Sequence, residues 1–379
     1  MKQRVVKVFK SKFGYPSEVI VKAPGRINLI GEHTDYNEGF VLPAAIDYAN
    51  YFALAKSSGP QIRLYSADFE QLYEFDKNKI EQTEDKWINL LLGVINELAS
   101  YIGHFDVVLS GNIPQGAGLS SSAALCCGLG YGLSELFNLK LDKWTIAKIA
   151  QKSEHEFGGV ECGIMDQFAS VFGITNHVLE LNCRTLEHTA HEFDISGYKL
   201  LLIDSGVTHA LETSMYNVRR QECHSAIEKL KNLSVAVNSY QDVSINLIEE
   251  QQSNLSDEEF RRAKHVVSEN IRVKEIVSLL RNRDFESAGQ CLLAGHKSLK
   301  EDFEITCEET DFLVDELVQY EEVLGARQVG GGFGGCVLAI TKDRNLDVVV
   351  GEMKKKYRRQ FHLSLRLIPI RISSGCMVV

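Results

Sequence analysis

A chain of 379 residues, 44% hydrophobic and 24% charged, has ordinary globular content, and that length suits one large or two medium domains, of which two are expected. A formal net charge of −10 argues against a general nucleic-acid binder, which needs a clustered basic surface. The nine cysteines are odd in number and form no C-x-x-C pair. With no signal-peptide pattern and no apolar run of roughly 18 residues, they point to reduced thiols in a soluble, cytoplasmic protein rather than to a disulfide framework, a zinc site or a membrane span.

In chain order, Val19 to Lys22 reads as a strand. It leads into Pro24-Gly25-Arg26-Ile27-Asn28-Leu29-Ile30-Gly31-Glu32-His33-Thr34-Asp35-Tyr36, where Glu32, His33 and Asp35 crowd together directly after an apolar pair. Such groups are costly to bury without partners. A polyhydroxylated ligand would supply them, carboxylates accepting from sugar hydroxyls and a neutral imidazole offering one donor and one acceptor. The plainer alternatives are a solvated turn and, for Arg26, a structural salt bridge. No second histidine or carboxylate pair sits at ligand spacing, so a metal is discounted here. Tyr51 to Lys56 and Ile62 to Tyr65 have strand character, and Trp87 to Tyr101 is helical with Leu91, Ile95 and Leu98 on one face.

Phe105 to Leu109 is a further strand, and Ala123 to Leu139 a buried helix. Between them lies Gly116-Ala117-Gly118-Leu119-Ser120-Ser121-Ser122-Ala123-Ala124. Two glycines without Cβ, three hydroxyls and a helix start present N–H donors and a positive dipole end to an anion. Glycine and serine also cluster in ordinary turns; the flanking strand and helix favour a phosphate cradle. No lysine follows in Walker spacing, and the HRD and DFG signatures of protein kinases are missing. Leu141 to Glu156 is helical, and Asp166 in Glu161-Cys162-Gly163-Ile164-Met165-Asp166-Gln167 is either the N-cap of Gln167 to Phe172 or a catalytic acid or base. Tyr198 to Asp204, a strand buried on both faces, opens the second domain. The stretches Glu212 to Leu233 and Asp257 to Tyr320 are mostly helical, before Cys336 to Thr341 and Leu363 to Ile372 return to strand. Gly330-Gly331-Gly332-Phe333-Gly334-Gly335 precedes an apolar strand rather than a helix. It suits a backbone passing close to another loop or a ligand, or a tight turn, and not a dinucleotide fold. The pattern as a whole is α+β, a sheet with helices on one side.

Three blocks, PGRINLIGEHTDYNEGFVLP, GNIPQGAGLSSSAAL and GGGFGGC, run in this order from residue 24 to 336 and closely resemble the three signatures of the GHMP small-molecule kinases. The first block is that of the galactokinases. The likeness extends to Phe13-Gly14, VECGIMDQFAS and SMYNVRRQEC, and so to nearly the whole chain. It implies a two-domain α+β fold. Residues 1–190 would form an N-terminal domain related to ribosomal protein S5 domain 2, residues 191–379 a ferredoxin-like C-terminal domain, with the site in the cleft between. It also implies transfer of the γ-phosphoryl of ATP to the anomeric hydroxyl of α-D-galactose, giving galactose 1-phosphate and ADP, the entry step of the Leloir pathway.

Position by position, the resemblance makes Asp166 the general base and Arg26 the cation that keeps it ionised and offsets charge on the transferred phosphoryl. Ser122 and Glu154 would hold Mg²⁺. Glu32, His33, Asp35, Gly163 and Tyr216 would contact the sugar, with Asp35 separating galacto from gluco configuration. Gly116, Gly118, Leu119, Ser120, Ser121 and Ser122 would cradle the phosphates, and Trp87 would pack the adenine. The implied partners are galactose and ATP, with no nucleic acid or membrane, and the chain is expected to be a monomer. Two departures bear on sugar preference: Val329-Gly330-Gly331-Gly332 in the third block, and Asp204-Ser205 before the GVTHALETSMY segment. A non-catalytic sugar and ATP sensor of the same family would lack the Ser-Ala pair present here as Ser122-Ala123; the other alternative is a sibling kinase for N-acetylgalactosamine or arabinose, of which the acetamido sugar would need extra room around C2.

Overall fold

A computed structural model describes residues 1–114, 116–208 and 212–379. Helix α1 (Lys2–Phe13) turns its lysines outward and buries Val5 and Phe9, one turn apart. Then come β1 (Val19–Asn28), β2 (Phe40–Val41), β3 (Pro43–Lys56), β4 (Ile62–Ser66), β5 (Gln71–Phe75), α2 (Lys86–Leu98) and β6 (Phe105–Gly111). Alternation along β3 decides both faces of the first sheet. Phe52 and Leu54 point into the core shared with α2, α3 (Ser121–Leu136), α4 (Lys143–Glu156) and α5 (Met165–Phe172), while Ala53 and Ala55 point to α1. The expectation of helices on one side therefore needs correction: the small alanines leave room for α1 on the opposite face.

A short sheet joins β2 to β7 (His177–Asn182) and β8 (His188–Glu192). The remainder comprises β9 (Tyr198–Thr208), α6 (Glu212–Leu233), α7 (Ile245–Glu250), α8 (Asp257–Arg281), α9 (Phe285–Ser298), α10 (Glu308–Leu317), β10 (Val323–Val329), β11 (Gly334–Lys342), α11 (Leu346–Phe361), β12 (Arg366–Pro369) and β13 (Met377–Val378). Its antiparallel sheet runs β10-β11-β9-β12. As the unbroken apolar run implies, β9 is buried on both faces: Leu200 and Leu202 enter one core, Leu201 and Ile203 the other. On α11, Val349, Met353 and Tyr357 recur every four residues and bury one stripe against that second core.

The chain then returns to its beginning. Ile372 bridges Ile46, and β13 pairs with β1 to complete a six-stranded sheet in the order β13-β1-β3-β6-β4-β5. For the proposed division at 190/191, the path adds that residue 190 lies inside β8 and that the last strand belongs to the first sheet. All nine cysteines are free thiols, and among the described residues no helix is long and apolar enough to cross a membrane.

Candidate active site

Strand β1 passes directly beneath the glycine-serine loop. A Cβ on Gly25 would stand 2.6 Å from the Leu119 carbonyl oxygen, a backbone atom that cannot swing away, so only glycine permits the approach. The next residue exploits it: Arg26 N–H donates to that carbonyl at 3.2 Å. The Arg26 side chain, 6% exposed, forks onto Asp166, with Nε to Oδ1 at 2.7 Å and Nη2 to Oδ2 at 3.1 Å, and its Nη1 donates to the Gly118 carbonyl. Asp166 lies in the first turn of α5, whose N-cap position belongs to Ile164. Its carboxylate is engaged by Arg26 and by the Ser120 hydroxyl rather than by capping, which decides against the N-cap alternative.

Ser120 holds a left-handed φ of 55° where α3 begins, an unfavoured conformation for a residue with a Cβ. Ala117 and Leu119 anchor the loop in the core, leaving Gly116 and Gly118 exposed, so Leu119 offers only its backbone to the site. Ser121 accepts from Asn50 through its carbonyl at 3.3 Å. Gly330 of the third block packs its Cα against Gly118, backbone on backbone, so that glycine run does meet another loop. Glu154, in the last turn of α4, is buried. Desolvation pushes its carboxyl up to about 7, bonds from Ser122 and Gln167 oppose the rise, and the charge of Asp166 adds to it. A buried carboxylate touching a hydroxyl, with a second carboxylate beside it, is a hard-oxygen set suited to Mg²⁺. Among the described residues no trio of histidine, cysteine or acidic side chains forms a metal cage.

Eight of the expected residues, Arg26, Glu32, His33, Asp35, Ser122, Glu154, Asp166 and Tyr216, line one cavity of about 370 Å³. Gly163 is not in its wall but packs against a residue that is, since a Cβ there would overlap Asp35 Oδ2 at 2.0 Å. Trp87 is not in its wall. That side chain packs on the α2 core, its ring 5.6 Å from that of Phe69, while its neighbours Lys86 and Leu90 line the cavity. A larger hollow of about 770 Å³ beside Tyr48, Phe193 and Ile368 contains none of these residues.

At the end formed by Glu32, His33 and Asp35 the hydrogen-bonding capacity is left open. Glu32 Oε2 accepts from Arg327, whereas Glu32 Oε1 and His33 Nε2 are buried with no partner among the described residues. Such orphans are rare unless a ligand completes them. His33 pairs through Nδ1 with the Tyr36 hydroxyl at 2.8 Å and lies between the rings of Phe303 and Tyr216. Burial depresses its pKa to about 3, so it is a neutral imidazole. Burial likewise raises Asp35 to about 6, with the nearby Asp166 charge adding to the effect, and pushes the Tyr216 hydroxyl up.

The sequence of residues 7–56 matches the galactokinase galactose-binding signature, 89–174 the GHMP kinases N terminal domain, and 276–359 the GHMP kinases C terminal domain. The galactokinase of Thermotoga maritima is 41% identical, covering 94% of this chain and 98% of that protein; that of Bacillus subtilis is 38% identical over 99% and 98%. A crystal structure of Lactococcus lactis galactokinase complexed with galactose superposes with a TM-score of 0.94 at 32% identity, covering 99% of this chain and 98% of that one. The chain belongs to the galactokinase family.

Membership carries the two-domain GHMP fold and the class of reaction, ATP-dependent phosphorylation of a sugar. A mevalonate kinase at 17% identity and a TM-score of 0.64 shares the fold alone. Within this galactokinase frame, Tyr36, Cys162 and Met165 line the cavity from inside the quoted motifs, and their position beside Asp35 and Asp166 was the signal available for them. Gln167, fully buried and donating to Glu154, carried the same signal. For Arg327 and Glu269, which hold Glu32 and its turn, nothing in the sequence pointed to the site.

Proposed function

We infer that this galactokinase-family chain transfers the γ-phosphoryl of ATP to the anomeric hydroxyl of α-D-galactose, giving galactose 1-phosphate and ADP in galactose catabolism. The observation that carries the reading is the forked Arg26–Asp166 pair in the same cavity as the unpartnered Glu32 Oε1 and His33 Nε2. Neutral His33, Glu32 and Asp35 hold the ring hydroxyls, with Gly163 and Tyr216 shaping the wall. Binding the wrong epimer at Asp35 would leave a buried polar group unpaired. Asp166 orients the anomeric O–H and takes its proton as the new P–O bond forms. Because an aspartate is a weak base, orientation and the Arg26 charge supply most of the rate.

The loop of Gly116, Gly118, Leu119, Ser120, Ser121 and Ser122 receives the phosphates at the start of α3; a contact of Trp87 with the adenine rests on the family pattern alone, since its ring packs outside the cavity wall. Ser122 and Glu154 would hold Mg²⁺, which when bound screens the phosphate charge. Free thiols throughout support a reducing, cytoplasmic setting, and we take the working unit to be a monomer. The test is ADP release with Mg·ATP against galactose, glucose, N-acetylgalactosamine and arabinose, with ³¹P NMR locating the product phosphate. Galactose-dependent ADP and an anomeric phosphate are expected. Sugar binding without turnover would instead make the chain a sensor.

A further inference from the structure

We propose that Arg327 and Glu269 are positioning residues for sugar recognition, fixing the Glu32 carboxylate so that Oε1 alone faces the substrate and does so as an acceptor. The inference rests on the reading of Glu32 as a sugar contact. Arg327 on β10 and Glu269 on α8 are both fully buried, and each is more than two hundred residues from Glu32 in the chain. Arg327 Nη2 donates to Glu32 Oε2, and its Nη1 donates to Glu269 Oε1 at 3.1 Å. That same Glu269 oxygen accepts the backbone N–H groups of Gly31 at 3.0 Å and Glu32 at 3.3 Å, while Oε2 takes Arg272 Nε at 2.6 Å. Both the backbone and the side chain of Glu32 are thus held from the C-terminal half of the molecule. Oε1 is the oxygen left without a partner among the described residues, on a side chain that lines the cavity.

The arrangement also sets the protonation of Glu32. Burial pushes its carboxyl up to about 7; Arg327 opposes that rise, the Glu269 charge adds to it, and Arg26 on β1 opposes it again. The other charged or titratable groups facing it are His265 of α8, whose Nε2 lies 3.1 Å from the Glu32 carbonyl oxygen, and the adjoining neutral His33; Arg272 acts through Glu269, and Arg219 of α6 lies near His33. Without Arg327 two carboxylates would share one buried site, and Glu32 would take up a proton. A protonated Oε1 places a hydrogen where the sugar requires an acceptor. Galactose affinity therefore reports on Arg327 in a pH-dependent way, and nucleotide affinity does not.

The experiment is calorimetric titration of the full chain with galactose from about pH 6 to pH 9, alongside KM for Mg·ATP. Arg327→Met should weaken galactose binding about tenfold near neutrality and move the midpoint of its pH dependence up by about one unit, with KM for ATP changed less than about twofold. Arg327→Lys keeps the charge but loses the fork, so the midpoint should stay near its original place while affinity remains reduced. Glu269→Gln removes the competing anion and should move the midpoint down. If Arg327→Met does not fold, the reduced affinity of the lysine variant and the downward shift in Glu269→Gln carry the test. Equal losses for galactose and ATP, or unmoved midpoints in Arg327→Met and Glu269→Gln, would overturn the proposal. Glu32→Gln separates the two readings. Unchanged galactose affinity in that variant removes Glu32 as a sugar contact, whereas a weakened Glu32→Gln beside unaffected Arg327 variants removes only the positioning role.

Discussion

At the phosphate end of the cavity the side-chain bonds run among residues of the first half: Arg26 to Asp166, Ser120 to Asp166, Gln167 to Glu154. At the other end, the turn carrying Glu32, His33 and Asp35 leans on Glu269, Arg327, Phe303 and Tyr216 from the second half. The first end has its Arg26–Asp166 ion pair already made, with Gln167 Oε1 left buried and without a partner among the described residues. The second is incomplete, with a buried imidazole nitrogen and a buried carboxylate oxygen that have no partner among the described residues. On the proposed function, transfer chemistry is thereby separated from recognition: one end orients an ion pair, and the other places desolvated groups where a matching set of hydroxyls would complete them.

Substitutions should respect that division. The largest effect is expected for Asp166→Ala, which should lower kcat by about a thousandfold or more while galactose affinity changes less than about threefold, read by ADP release and calorimetry. Full activity in that variant would remove the base. At the recognition end, Asp35→Asn should cost about a hundredfold in kcat/KM for galactose and less for glucose, narrowing the ratio between the two sugars. A ratio that stays put would take Asp35 out of epimer selection. Ser122→Ala should raise KM for Mg·ATP about tenfold with galactose binding untouched; if both move together, the two ends are not separable.

The smallest effect is on stability. Because the folded protein holds the Glu154 proton more tightly than the unfolded chain does, up to about 7 against an ordinary 4.5, the ligand-free protein should lose stability as pH rises through that window, and Glu32 and Asp35 act in the same direction. Glu154→Gln should flatten the decline by about 1–3 kcal/mol, seen as a shallower fall of Tm between about pH 5 and 8. An unchanged slope would mean that Glu154 is hydrated in solution.

Much of this is legible in the sequence. The β9 run read correctly as doubly buried, and the loop between β6 and α3 stood out because glycines, hydroxyls and a helix start are contiguous. Helix α1 escaped notice because only Val5 and Phe9 of its apolar residues are fully buried among many lysines. The Gly330 run met another loop, as its composition suggested, but which loop it met depended on the two halves closing. Trp87 shows the reverse: the family pattern directs it toward the nucleotide, while its ring packs on core residues outside the cavity wall.

What the sequence determined by itself is therefore what local sterics and periodicity control: the two buried faces of β9, and the succession of strand β6, glycine-serine loop and buried helix α3. Only the tertiary structure decided that Asp166 answers Arg26 instead of capping its own helix, that His33 is neutral, and that Glu32 shares Arg327 with Glu269. Desolvation and Coulomb interactions depend on what surrounds a group in space: Arg26 meets an aspartate 140 residues away, and Glu32 and His33 take their neighbours from the other half of the molecule.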